Sequence, residues 1–170
     1  METSFIIRHA NASDLPAILE IYNHAIIHTT AVYQDDVHTL AMREQWFADK
    51  LKLGHPVFVA AEAGKVTGFS TYGPFRNWPG YRFTVEHSVY VDTGSRGKGV
   101  GKMLVQAVIN HARDKGMHAL IAGIDSSSAG SLHLHQSLGF TEVAHFKQVG
   151  FKFGRWLDLK FLELLLNENI

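Results

Sequence analysis

Cysteine is absent from the 170 residues, which excludes disulfides, a thiolate nucleophile and Cys-ligated zinc. Net charge is absent as well. The 16 basic and 16 acidic residues balance and are dispersed along the chain, so they leave no footprint for a nucleic acid or an anionic membrane surface. No stretch approaches the roughly 20 consecutive apolar residues of a membrane-spanning helix. Met1-Glu2-Thr3-Ser4 lacks the basic region and apolar run of a secretory leader. A soluble, cytoplasmic protein is therefore expected, with neither nucleic acid nor membrane as partner. Linkers, repeats and biased tracts are missing too. With 46% hydrophobic residues the chain can bury one full core and leaves no room for two ordinary domains, so a single domain over 1–170 is expected.

Two catalytic constellations fail on inspection. Ser126, Ser127, Ser128 and Ser131 lie near histidines, yet no G-x-S-x-G elbow exists, which argues against a serine hydrolase. Eleven histidines invite a metal, and Glu20, His24 and His28 at i, i+4 and i+8 share one helical stripe. They lack a fourth ligand and any link to another motif. Helix-surface histidines or a dimer contact is the preferred reading, and no metal is expected. His133 and His135, two apart, point to nearly opposite faces of a helix and cannot chelate together.

What the chain does have is an apolar strand running through a glycine loop straight into an amphipathic helix, from Val89 to Leu104. At a helix N-terminus the first N–H groups lack intrahelical partners and the macrodipole adds partial positive charge, so a phosphate can dock there. Two phosphate loops are excluded by spacing. Only two residues separate Gly94 from Gly97, where a Walker loop has four, and Gly99 rather than Ser or Thr follows Lys98. The dinucleotide fingerprint needs a glycine where Lys102 stands. What remains is Arg96-x-x-Gly99-x-Gly101, which is either a phosphate cradle or a strand-to-helix turn that merely needs glycine.

Strand-like and helix-like segments alternate around this loop. Strands are expected at Phe5 to Arg8, Val57 to Glu62, Val66 to Tyr72 and Arg82 to Val91. Helices are expected after Ser13 and Asp14, with an apolar stripe from Leu15 to Ile26, and from Leu40 to Leu53 with Trp46 and Phe47 inward. In the helix after the loop, Leu104, Val105, Val108, Ile109 and Ala112 form the buried face, and Gly116 stops it. His118 to Ile124 must then run parallel to the strand before the loop, because a helical crossover joins them. A short helix from Ser128 to Ser137 and strands at Thr141 to Gln148 and Arg155 to Leu162 complete an α/β fold with a mixed sheet.

The loop resembles the coenzyme A pyrophosphate loop of the GNAT superfamily of N-acetyltransferases. A second stretch agrees with it: Ser128-x-x-Ser131-x-x-Leu134-His135-x-x-Leu138-Gly139-Phe140 is similar to the superfamily pattern Asn-x-x-Ala-x-x-Leu-Tyr-x-x-Leu-Gly-Phe. His135 in place of Tyr resembles the phosphinothricin and methionine sulfoximine acetyltransferase branch. So do Glu20-Ile21-Tyr22-Asn23-His24-Ala25, Thr84 to Val91, Ser131-Leu132-His133-Leu134-His135 and Val149 to Asp158. The resemblance implies a GNAT fold, a mostly antiparallel twisted sheet with a central splayed parallel strand pair flanked by helices. It implies a homodimer that moves acetyl from acetyl-CoA to the α-amino group of a small amino acid or analogue. Cofactor contacts are implied at Val89, Tyr90, Val91, Arg96, Gly97, Lys98, Gly99, Val100, Gly101, Lys102, Ser128 and Ser137. Acceptor contacts are implied at Arg76, Asn77, Trp78, Glu86, His87 and Ser88.

The chemistry can be reasoned from the residues. An ammonium cannot attack a thioester, so a base must take a proton from the incoming amine, and donors must face the carbonyl oxygen where negative charge develops. Period-two alternation puts Arg82, Thr84, Glu86, Ser88 and Tyr90 on the polar face of their strand. Glu86, a few residues upstream of the loop, is the expected general base, acting through water; the alternative is a solvent-facing strand carboxylate. His135 is the expected acid for the departing thiolate, with a cofactor contact or plain packing as alternatives. The resemblance implies backbone N–H groups near Val89 to Val91 as donors to the oxyanion. Arg76 and Arg82, set among Phe75, Trp78 and Tyr81, suit a zwitterion whose carboxylate is held bidentately, or else are solvated loop residues that stack on Trp78 or Tyr81. Other functions left open are a coenzyme A-binding module without catalysis and acetylation of a protein or peptide amine.

Overall fold

The computed structural model describes residues 4–167; positions 1–3, read above for a leader, lie outside the described residues. Seven strands form one sheet: β1 (Ile6–His9), β2 (Val57–Glu62), β3 (Lys65–Pro74), β4 (Thr84–Val91), β5 (Ala119–Asp125), β6 (Thr141–Lys152) and β7 (Arg155–Leu165), in the order β1-β2-β3-β4-β5-β7-β6. Every neighbouring pair is antiparallel except β4 and β5, which are parallel as the crossover demands. Helices α1 (Leu15–His28) and α2 (Leu40–Lys52) cover one face, while α3 (Val100–Asp114) and α4 (Ala129–Ser137) lie on the other. No helix among the described residues is long and apolar enough to cross a membrane.

The amphipathic periods explain the layers. Leu104, Val105, Val108, Ile109 and Ala112 of α3 are all buried, against Phe58, Tyr72, Val85, Leu120 and Leu162 of the sheet. On the opposite face Leu15, Ile18, Ile21 and Phe47 pack on Val57, Val59, Val66 and Phe69. Gly116, at φ +72°, ends α3 in the left-handed region as expected.

Strands β1, β3 and β5 shift by one or two residues from the sequence expectation, and the larger differences have a physical cause. The cap before α1 is set one turn earlier than Ser13 and Asp14. Asn11 accepts from the Ser13 N–H at 2.9 Å while Asp14 accepts from the Asn11 N–H at 2.8 Å, a capping box around one 3-10 turn. Strand β4 starts at Thr84 rather than Arg82, because Pro79–Tyr81 form a 3-10 turn that the Arg82 N–H closes onto the Pro79 carbonyl. Strands β6 and β7 extend to a two-residue turn at Phe153 and Gly154, whose φ of +53° and +70° matches a type I′ hairpin. Irregularities in β6 at 142–144 and 146–150 hid its length; Asp158 stitches the second, accepting from the Gln148 N–H at 2.8 Å.

Candidate active site

The site begins where β4 and β5 part. Their register runs from Thr84↔Ala119 to His87↔Ala122 and stops, although β4 continues to Val91 and β5 to Asp125. Which backbone groups this exposes follows from strand parity. The Thr84 carbonyl and the Asp92 N–H bond toward β3 and its flanks, whereas the Phe83 carbonyl bonds toward β5. In an antiparallel ladder alternate residues face alternate sides, so the N–H groups of Val89 and Val91 point into the opening. This is the splayed pair that the resemblance implied.

At the C-terminal end of β4 the chain turns through Thr93–Ser95 into the glycine loop. Gly97 and Gly99 hold φ of +74° and +83°, a conformation that glycine adopts without strain, and neither has an atom within 4 Å of where a Cβ would stand. Gly99 caps α3 without a side chain, and the first helical bond is from the Met103 N–H to the Gly99 carbonyl at 3.1 Å. The N–H groups of Val100, Gly101 and Lys102 therefore point out of the helix end unpaired, with Lys98 and Arg96 alongside. An open backbone cradle with uncapped donors fits a pyrophosphate. Gly101 has a different reason: a Cβ there would meet Leu134 Cδ1 of α4 at 2.9 Å.

Where β4 and β5 part lies a cavity of about 460 Å³. Of the residues expected from sequence, it gathers Arg76, Glu86, His87, Ser88, Val89, Tyr90, Ser128 and His135. Glu86 stands half-buried on its polar face, and burial raises its carboxyl above the ordinary value while Arg76 opposes the rise. Not all the expected residues come together. Asn77 and Trp78 are exposed and line a separate hollow with Arg82, and Ser137 is spent at the end of α4, donating to the Leu134 carbonyl at 2.6 Å. Arg82 donates to the Pro79 carbonyl and stacks on Phe83, a loop role, although the ring is neither Trp78 nor Tyr81.

His87 and His135 form a buried pair, Nε2 to Nε2, at 2.9 Å. Nδ1 of His135 lies 2.7 Å from the Ser131 carbonyl, which can only accept, so Nδ1 carries the proton. Neutral His135 then has a bare Nε2 that accepts from His87 Nε2–H, leaving His87 Nδ1 buried without a partner. Burial, with His135 beside it, pushes His87 down to about 3, and burial also lowers His135. An acid needs a proton to give. The expected acid role of His135 therefore meets an obstacle, since the nitrogen facing His87 carries none.

Three parts of the cavity wall carried no sequence signal. Thr30–Tyr33, after α1, form one side; the Tyr33 hydroxyl donates to Asp125 at 2.8 Å and bonds the Asp158 carbonyl at 3.0 Å. The Lys152 ammonium ties this segment down by donating to the carbonyls of Ile26, Thr29 and Val32 at 2.6, 2.8 and 2.7 Å. Phe161 of β7 closes the far side, and Gly123 makes room for it: a Cβ there would meet Glu86 Oε1 at 3.0 Å and Phe161 Cε1 at 3.2 Å. Away from the site, the His24 and His28 rings stack at 4.6 Å, and no group of three or more metal-ligating side chains converges among the described residues.

Comparison with known proteins agrees with this geometry. Residues 7–160 match the family model described as Acetyltransferase (GNAT) domain. The chain is 49% identical over 163 residues to the L-amino acid N-acyltransferase MnaT of Escherichia coli. It is 48% identical over 163 residues to an L-methionine sulfoximine/L-methionine sulfone acetyltransferase of Salmonella typhimurium. Each match covers 96% of this chain and 95% of the relative. Among solved structures, a GNAT superfamily phosphinothricin acetyltransferase from Sinorhizobium meliloti in complex with acetyl-CoA superposes with a TM-score of 0.94. Its identity is 36%, covering 99% of this chain and 90% of that one. The chain belongs to the GNAT acetyltransferase family and is an acetyl-CoA-dependent N-acetyltransferase.

Proposed function

We propose that this GNAT acetyltransferase acetylates the α-amino group of small L-amino acids and their analogues, with methionine sulfone, methionine sulfoximine and phosphinothricin as acceptors. The observation that carries the reading is a half-buried carboxylate, Glu86, one strand position from the gap into which the Val89 N–H points. The relatives named above supply the acceptor class. A cavity of about 460 Å³ walled by Thr30–Tyr33 and Phe161 suits a small acceptor better than a peptide.

Acetyl-CoA supplies an acyl carbon activated by its thioester sulfur. Arg96 to Lys102 hold the pyrophosphate through backbone N–H groups, and Ser128 flanks the entry to the cavity. Glu86 takes the proton of the incoming ammonium, through one water, and Arg76 beside it keeps the carboxylate charged. The amine nitrogen then bonds to the acyl carbon as the carbon–sulfur bond breaks, and the second proton that nitrogen sheds passes through water to the departing thiolate, which leaves as the free thiol. The Val89 N–H donates to the carbonyl oxygen as charge gathers there, and Val91 and Tyr90 continue that edge toward the loop. His135 acts as a wall and cofactor-side contact that holds His87 in place. Thiolate is a tolerable leaving group near neutral pH and needs no buried acid.

Glu86→Gln tests this reading. It keeps shape and removes the base, so kcat/KM for methionine sulfone falls about 10²–10⁴-fold while acetyl-CoA affinity stays. Undiminished turnover, or activity confined to peptide amines, overturns it. We further propose a homodimer through the β6–β7 hairpin, where Phe146, Val149, Phe151, Phe153 and Trp156 are all exposed. Trp156→Asp should shift sedimentation to the monomer.

A further inference from the structure

Across β4 from the first cavity lies a second, of about 290 Å³, that the mechanism above leaves unused. It sits between β3 and α2, and Glu86, Ser88 and Tyr90 line both. Two cations face it. Arg43 is 2% exposed, its guanidinium 4.2 Å from the Tyr22 ring centroid and 4.5 Å from that of Trp46. Its Nη2 donates to His38 Nδ1 at 2.8 Å and its Nε has no partner. Lys50 donates to the Tyr72 carbonyl at 2.6 Å. Neither cation has a carboxylate within ion-pair distance among the described residues, and Glu86 is the one acidic side chain in the lining.

A guanidinium taken out of water without a counter-ion is unfavourable, and the aromatic faces of Tyr22 and Trp46 compensate only part of the lost hydration. What would complete the cluster is an oxyanion that enters and leaves. The hydroxyls of Ser88, Tyr90 and Tyr22 add donors to the same cavity, while Thr71 has its proton on the Pro56 carbonyl at 2.8 Å.

We propose that this second cavity is the carboxylate subsite of the acceptor, and that Arg43 makes the enzyme select a free α-carboxylate. The inference rests on the amino-acid reading above. In an α-amino acid the ammonium and the carboxylate hang on one carbon, and Glu86 lies on the rim common to both cavities. With the amine at Glu86, the carboxylate turns toward Arg43 and Lys50, and the side chain runs into the first cavity toward Arg76 and Phe161. Arg76 and Arg82, the sequence candidates for this clamp, are exposed, and each already donates to a loop carbonyl, Phe75 and Pro79 respectively. A buried guanidinium holds an anion more strongly than a solvated one.

The test compares L-methionine sulfone with its carboxamide, using the parent enzyme, Arg43→Gln and Arg43→Lys. Parent kcat/KM should favour the acid about 100-fold, mainly through KM, the size of a lost charge-assisted bond in a buried site. Arg43→Gln should bring the acid-to-amide ratio to within about threefold, and Arg43→Lys should fall between, since it keeps charge and loses the fork. Equal losses on both substrates would mean that Arg43 only braces Tyr22 and Trp46, and overturn the proposal. So would a parent enzyme that accepts the amide as well as the acid, whatever the variants do. A parent enzyme silent on every α-amino acid overturns the underlying acceptor reading instead, and this subsite with it.

Discussion

Gly123→Ala adds one methyl group at the closest point between the base and the far wall. Gly123 sits in β5 opposite Phe161, and a Cβ there comes 3.0 Å from Glu86 Oε1 and 3.2 Å from Phe161 Cε1. One of the two must give by a few tenths of an ångström. Phe161 is wedged edge-on between Phe75 and Phe146, at centroid distances of 5.8 and 5.5 Å, so it resists. Glu86 moves instead, by turning its carboxylate. Misplacing a reacting group by about 1 Å costs about 100-fold, so this smaller shift should lower kcat/KM for methionine sulfone about 10-fold. Stability should fall by at most about 2.5 kcal/mol: overpacking costs about 1–3 kcal/mol, and replacing a strand glycine returns about 0.5–1 kcal/mol. The assay is thiol release from acetyl-CoA, read with a disulfide reagent. A chain without cysteine contributes no thiol of its own, so every thiol counted is product. If Gly123→Ala turns over within twofold of the parent with an unchanged pH profile, the placement of Glu86 does not limit the reaction, and the reasoning from this contact is wrong.

Other consequences follow from the same contacts. Burial raises the Glu86 carboxyl, so the folded state holds its proton to higher pH than the unfolded chain, and the stability this gives is lost as pH rises through the folded value. Glu86→Gln should therefore melt higher than the parent at pH 7 while losing activity, and the parent's kcat/KM should fall on the acid side starting above the ordinary glutamate value. His87 and His135 are held neutral below their ordinary value, so the unfolded chain binds their protons first and stability drops as pH falls below about 6.5. Urea titrations from pH 6.5 to 5.5 should show that slope, and His135→Gln should flatten it. Lys152→Met leaves the carbonyls of Ile26, Thr29 and Val32 without their donor and should cost about 3 kcal/mol, read as a Tm lower by roughly 6–12 °C. Its KM for the acceptor should rise as well, because Thr30–Tyr33 wall the cavity.

Local pattern carried the scaffold far into view. The buried face of α3, the glycine loop, the parallel crossover and the polar face of β4 all follow from periodicities within about 15 residues, where helix and strand geometry dictate which side chains share a face. Arg43 shows where that logic fails. Trp46 and Phe47 were expected inward and are partly or fully buried, but a charged residue three positions earlier reads as solvated; its burial is made by Tyr22 on another helix and by His38 across a turn. The Tyr33–Asp125 bond spans 92 positions and joins a turn-rich stretch to a strand end, and neither segment announces the other. Asn77 and Trp78 show the opposite case. The resemblance implied acceptor contacts there, while the 3-10 turn at Pro79–Tyr81 follows them and they line an exposed hollow apart from the first cavity.

In the proposed mechanism strand β4 serves two substrates because two alternations in one strand are locked together. Side chains alternate perpendicular to the sheet, so Glu86, Ser88 and Tyr90 reach the acceptor face; backbone N–H groups alternate within the sheet, so Val89 and Val91 reach the gap. Such a coupling works only if the gap stays open. His87 is the last residue of β4 in register with β5, and its ring meets His135 of α4 at 2.9 Å, with Phe140 packed against both. This wedge stands at the fork, on the face opposite Glu86. A neutral pair suits the place: a charged one would have to be hydrated, and water at the fork would compete for the Val89 N–H that the acyl oxygen needs. On the proposed mechanism, the histidine in place of the superfamily's tyrosine is a positioning residue. His135→Ala should lower kcat more than acetyl-CoA affinity, because the strands close on the gap while the glycine loop, at the far end of β4, keeps its open N–H groups.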